Sequence, residues 1–100
     1  TFVGWQPMGF QTDAALGAGS AGNTTVLVAK SPDGRIFYNF WQLGQGGQGW
    51  KELDGGGRTD AAPAAALVGT YLFVAVKGLD GNVYLNQGEL GQTFVGWQLS

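Results

Sequence analysis

The sequence contains no cysteine and no histidine, one methionine and three prolines among 100 residues. Without cysteine there is no disulfide framework, no thiolate nucleophile and no thiolate metal site, and cysteine usage assigns no redox compartment. Charge is scarce too: five basic and seven acidic residues make up 12% of the chain and leave a net charge of −2. Five scattered cations give no electrostatic footprint for a phosphate backbone, so nucleic acid is not an expected partner. No apolar run approaches the roughly 20 residues that span a bilayer, and the N-terminus lacks the basic, apolar and small-residue sections of a signal peptide. The expectation is a soluble chain with no membrane insertion.

What the sequence has in abundance is glycine, 19 residues, in a chain that is 44% apolar and 13% aromatic. Glycine is costly inside helices, whereas β-branched and aromatic residues pack well on pleated surfaces, so this mixture points to many short strands and tight turns. The fold class expected is all-β. A chain this short is one domain, 1–100, and buries only a modest core by itself, which makes self-association an early consideration.

The sequence repeats itself. Sliding it by 47 aligns residues 12–53 with 59–100 without a gap, matching Thr12-Asp13-Ala14-Ala15 to Thr59-Asp60-Ala61-Ala62, Lys30 to Lys77, Asp33-Gly34 to Asp80-Gly81, Asn39 to Asn86 and Gly49-Trp50 to Gly96-Trp97. Residues 1–6, Thr-Phe-Val-Gly-Trp-Gln, recur unchanged as 93–98 at an offset of 92. Each repeat reads as four strands: Asp13–Ala18, Thr24–Lys30, Arg35–Trp41 and Gly49–Leu53, then Asp60–Leu67, Tyr71–Lys77, Asn82–Asn86 and Val95–Leu99. Strand Arg35–Trp41 follows the turn Pro32-Asp33-Gly34, and Asp-Gly between apolar runs signals a hairpin because both central positions want positive φ. Pro63 belongs on an edge strand, where a missing N–H is tolerated. A period of about 45 to 50 residues with four strands and no helical segment matches a propeller blade better than a sandwich. Two four-stranded antiparallel blades leave raw faces, and closing a ring with further copies of the chain is the physical remedy.

The stretch Gly-Trp-Lys-Glu-Leu-Asp-Gly-Gly-Gly-Arg-Thr-Asp-Ala-Ala at 49–62, continued by Phe73 to Gly81 and by Val83-Tyr84-Leu85-Asn86, resembles the PLL-like bacterial β-propeller lectins. The likeness runs blade by blade over nearly the whole chain. It implies binding of fucose- or galactose-type glycans, with sugar sites repeated between blades. It also implies a bacterial parent, secreted or directed at cell-surface glycans, although the sequence itself leaves the location undetermined. The chain departs from that family in carrying only two blades, and its identical ends suggest an excised or engineered two-blade unit. Three chains would then close six blades, which is the favoured homo-oligomer, with a tetramer or a pentamer as alternatives.

Candidate binding residues follow from sugar chemistry. A sugar presents an apolar C–H face and a rim of hydroxyls, so it needs an aromatic plane beside amide, hydroxyl or charged groups. Trp50 and Trp97 recur with Trp5 at one strand position, serving either as core packing between blades or as sugar platforms. Trp41 has Gly88 as its counterpart and stands beside Gln42 and Gln45, which makes it a single-site candidate. Tyr38, Asn39, Tyr84, Asn86 and Gln87 offer the polar partners, and Asn39 and Asn86 serve equally as strand-end caps. Arg58 ends a glycine run, Gly55 to Gly57, that lacks the Lys-Ser/Thr of a phosphate loop, and its guanidinium fork suits hydroxyls or a carboxylate. Its counterpart is Gln11, so the two sites should differ. Thr59 and Asp60 adjoin it. A turn centred near residues 21 and 22 sets Asp13 opposite Lys30, and Asp60 opposite Lys77 in the second repeat, as cross-strand ion pairs or as ligand contacts.

Catalysis is not expected. With neither histidine nor cysteine, only Glu52 and Glu89 offer a nominal carboxylate pair for glycoside hydrolysis, and they occupy different blade positions. No cofactor and no metal are expected. The reading is a multivalent lectin whose partners are glycans and copies of itself, with a self-assembling propeller fragment that binds no sugar as the alternative.

Overall fold

The computed structural model describes Thr12, residues 16–42 and residues 49–99. Asp13, Gln45, Trp5, Gln11 and the duplicated segment 1–6 lie outside the described residues. The described chain is all-β, with eight strands: β1 Gly17–Ala21, β2 Thr24–Lys30, β3 Ile36–Gln42, β4 Lys51–Glu52, β5 Ala64–Val68, β6 Tyr71–Lys77, β7 Val83–Glu89 and β8 Gln98–Leu99. They form two four-stranded antiparallel sheets, β1-β2-β3-β4 and β5-β6-β7-β8, in the order of the sequence. Among the described residues there is no helix long and apolar enough to cross a membrane.

The central hairpin strands β2 and β6 have the bounds that the sequence predicts. The first strand of each repeat starts later, because the hairpin turn lies at Gly22 and Asn23, with Ala21 paired to Thr24 and Gly17 to Val28. In the second repeat Ala64 pairs with Ala75, so Lys77 faces position 62 and not Asp60 along the ladder. Asp60 still reaches Lys77, with its Oδ1 2.7 Å from Nζ, as a diagonal ion pair. Pro63 directly precedes β5, which is an edge strand.

The turn before β3 is also different from the expectation. Gly34 N–H donates to Ser31 O (2.9 Å) and Ser31 N–H to Arg35 O (2.8 Å), which makes a three-residue loop with Gly34 alone at positive φ (+91°). Pro32 fixes a negative φ at the first central position, so a type I turn closed by a glycine bulge forms over Pro32-Asp33-Gly34, and Asp33 does not take the positive φ expected of it. The fourth strands are short. Gly49 and Gly96, one repeat apart, both have φ of +97°, a conformation that interrupts β pairing just before Trp50 and Trp97.

One apolar cluster joins the sheets. Val26, Val28, Ile36, Tyr38 and Leu53 of the first meet Leu67, Leu72, Val74, Val76, Leu90 and Phe94 of the second. The edge strands β1 and β5 approach so closely that a Cβ on Gly17 would fall 2.5 Å from Pro63 O, which is why β1 is built of glycine, alanine and serine. The two repeats contribute opposite faces. Ile36 is 1% exposed while its counterpart Val83 is 53% exposed. Val26 and Val28 are buried where Phe73 and Ala75 are half-buried, and Leu72 and Val74 are buried where Thr25 is exposed and Leu27 half-buried. Ala29 and Val76 are buried in both. The sheets therefore stack head to tail, not through a shared face.

Candidate functional site

The linker from β4 to β5 crosses the junction of the sheets and is tied to the second sheet from both sides. Asn86 Nδ2 donates to Asp54 O (2.8 Å), and Phe94 N–H donates to Asp54 Oδ2 (2.7 Å). Beyond this anchor the glycine run passes over the indole of Trp97. A Cβ on Gly57 would lie well inside van der Waals distance of Trp97 Nε1 and Cδ1, and one on Gly55 would fall 3.0 Å from Gly96 Cα. Only a chain without side chains lies this close to the ring.

Beside this contact opens a cleft of about 300 Å³, walled by the linker with Arg58, by the β6–β7 turn with Asp80, and by Tyr84 and Trp97. Val76 and Leu79 supply apolar wall. Tyr84 reaches into this position because position 78 is glycine; a Cβ there would stand 2.6 Å from Tyr84 Cε1. The phenol donates to Asp80 Oδ2 (2.7 Å), and Asn82 adds its backbone N–H (3.0 Å) and its amide (3.2 Å). These donors, Tyr84 first, hold the Asp80 carboxyl below the usual carboxylate range, and the same hydrogen bond raises the Tyr84 phenol. Arg58 folds Nη1 back onto Gly56 O (3.2 Å) and Gly57 O (3.4 Å) and is otherwise exposed. Trp97 Nε1 is buried with no hydrogen-bond partner among the described residues. The cleft thus combines an aromatic plane, a cation and a carboxylate on an apolar wall, while the Trp97 Nε1 donor is buried beneath Gly57.

Of the residues singled out in the sequence, the cleft brings together Arg58, Tyr84 and Trp97. Asp80, Leu79 and Gly57 join them, and the sequence carried a signal for them only as turn and linker residues. The others lie elsewhere. Asn86 is fully buried, and its Oδ1 accepts from Gln87 N–H (2.8 Å) and Gly96 N–H (3.0 Å). Asn39 is buried and accepts from Phe40 N–H (2.8 Å). Tyr38 is buried against Phe94, ring centroids 5.2 Å apart, and its hydroxyl accepts from Gly91 N–H (3.0 Å). Thr59 is buried with its hydroxyl donating to Lys77 O (2.6 Å). Asp60 is exposed, its carboxyl kept low chiefly by Lys77. Trp41 lies half-buried on β3 opposite Thr25, Gln87 on β7 opposite Phe73, and Trp50 half-buried before β4. Glu52 is spent on Arg35, whose Nε and Nη2 donate to its two oxygens (3.2 and 2.9 Å), and Glu89 faces Tyr71 at the end of β7.

Neither a scan against models of known protein families nor a search of curated proteins finds a match for the chain.

Proposed function

We propose that the chain is a two-blade unit of a β-propeller lectin, which forms a ring with further copies and holds sugars at a junction between blades. The cleft beneath the β4–β5 linker carries this reading. Its Trp97 and Tyr84 rings suit the C–H face of a pyranose, the Asp80 carboxylate accepts from hydroxyls, and Arg58 donates to ring or hydroxyl oxygens. The resemblance of 49–62 and 73–86 to the PLL-like lectins points to fucose- or galactose-type glycans.

The head-to-tail stacking of the sheets supports the ring. If each sheet presents one face forwards and the other backwards, the first sheet's rear and the second sheet's front are complementary by construction. Heterologous interfaces of this kind close into rings when the rotation permits. A ring multiplies weak sites: several on one rigid frame raise avidity by roughly 10²–10⁴ without new contacts.

A glycan array probed with the assembled oligomer is the test. Binding to fucosylated or galactosylated glycans is expected. A correctly assembled oligomer that binds none of them removes the lectin reading and leaves a self-assembling propeller unit, which the stacking of the sheets supports equally well.

A further inference from the structure

We propose that each chain offers one sugar site, in its second repeat, and that the matching place in the first repeat does not bind; the inference rests on the lectin reading of the cleft. The two repeats share Asp33 with Asp80 and Trp50 with Trp97, so sequence similarity alone suggests two equivalent sites. Three differences in chemistry remove the equivalence.

The first is at the turn. Gly78 gives the Tyr84 ring its place, whereas the first repeat has Ser31, whose Cβ occupies that space. Ser31 Oγ takes over the role of the phenol and donates to Asp33. The second is the aromatic itself. Phe37 stands where Tyr84 does, has no hydroxyl, and lies under the Arg35 guanidinium, with Cζ 5.3 Å from the ring centroid. The third is the linker. Six residues separate Trp5 from Thr12, against eight between Trp50 and Thr59; Phe10 stands in the place of Gly57, and Gln11 in that of Arg58. A Cβ at position 57 would collide with the indole of Trp97, so the seat of that indole in the second repeat requires the glycine that the first-repeat sequence lacks.

The ligand the second-repeat cleft takes is a neutral pyranoside. Arg58 and Asp80 both line it, so it offers a donor and an acceptor to a ring of hydroxyls and favours neither a free acid nor a base. Beneath Gly57, Trp97 Nε1 is a buried donor without an acceptor among the described residues, and leaving such a group unpaired is unfavourable. A small shift of the glycine linker lets a ligand oxygen reach it. The number of sugars bound by an assembly then equals its number of chains, half the number of its blades.

The test is titration of the assembled protein with methyl α-L-fucopyranoside and with methyl β-D-galactopyranoside. It is read by calorimetry and by the indole N–H resonances of the four tryptophans, assigned by single Trp→Phe substitutions. One sugar per chain is expected, with a saturable shift at Trp97 and none at Trp50. Gly57→Ala weakens binding about tenfold or more, and Tyr84→Phe, which keeps the ring and should fold whatever Gly57→Ala does, weakens it by about threefold to tenfold. Phe37→Tyr and Trp50→Phe, titrated in samples whose molar mass equals that of the wild-type assembly, leave the affinity within about twofold, a difference of under 0.5 kcal/mol. Two sugars per chain, a shift at Trp50 that tracks the one at Trp97, or wild-type affinity in Tyr84→Phe overturns the single site while leaving the lectin reading intact. No shift and no heat with either sugar overturns both.

Discussion

At position 86 a fully buried asparagine joins three stretches of chain: its amide donates to Asp54 O in the linker, and its oxygen accepts from Gln87 and Gly96. Removing a hydrogen-bonding partner from a buried site costs about 1–3 kcal/mol per group left unsatisfied. Asn86→Ala is therefore expected to destabilise the protein by roughly 2–4 kcal/mol, read as a lower urea midpoint at unchanged slope. Asn86→Asp keeps the acceptor but sets a carboxylate against the Asp54 carbonyl, and should also lower the midpoint. Midpoints within about 0.5 kcal/mol of wild type for both would contradict the role. Gly17 is the matching case for packing. Its missing Cβ would meet the backbone of Pro63, which cannot swing aside, so Gly17→Val should cost about 1–3 kcal/mol by the same measurement. The sequence carried the repeat of Asn39 and Asn86 but not its meaning, since a cap and a ligand are spelled alike. The distinction lies in Asp54, which is 32 residues away and has no marker of its own.

Among the elements, β2 and β6 were legible because continuous runs rich in β-branched and aromatic residues, Val26 to Ala29 and Tyr71 to Val76, are bounded by turn residues. The first strands were less so. Their alanines, glycines and serines have no alternation to fix a register, and register then follows from where the turn closes. The cleft was legible in part for the same reason. Arg58, Tyr84 and Trp97 are conspicuous side chains, whereas the glycines that seat them act through what they lack. The turns also gather the charge. Asp33, Glu52, Asp60 and Asp80 all have carboxyls held below their ordinary values, by Ser31, Arg35, Lys77 and Tyr84 respectively as the largest cause. A carboxyl whose folded pKa lies below its unfolded value contributes stability above the unfolded value and loses it as pH falls through the folded one. With no histidine in the chain, the urea midpoint should be nearly flat from about pH 5 to 8 and should decline below about pH 4. In Tyr84→Phe the Asp80 carboxyl, followed by its carbon chemical shift, should titrate at higher pH than in the wild type. An unchanged titration would mean that the phenol does not hold the charge.

Over the whole molecule, the repeats bury opposite faces, and this separates two ways of assembling the same sheets. Two sheets related by a two-fold axis would bury the same positions in each, and the exposed sides would then carry the polar ones. Here Ile36 is buried and Val83 is 53% exposed at the same place in the repeat, with Phe73 and Leu85 half-buried on the same side as Val83. On the proposed ring this apolar face meets the rear of a first sheet, where Leu27, Phe37 and Trp50 are half-buried. The native molar mass should therefore be a whole multiple of 10.4 kDa, three being the favoured number. On the proposed ring, Val83→Glu places a carboxylate on the contact between copies, across the ladder from Lys77, and desolvating the added charge there is costly. In sedimentation or light scattering this variant should shift towards the monomer at concentrations where the wild type stays assembled. Far-ultraviolet circular dichroism on the same sample separates loss of assembly from loss of fold. A wild type that runs as a stable monomer would refute the ring, and a Val83→Glu variant that keeps the wild-type mass would show that copies meet through some other face.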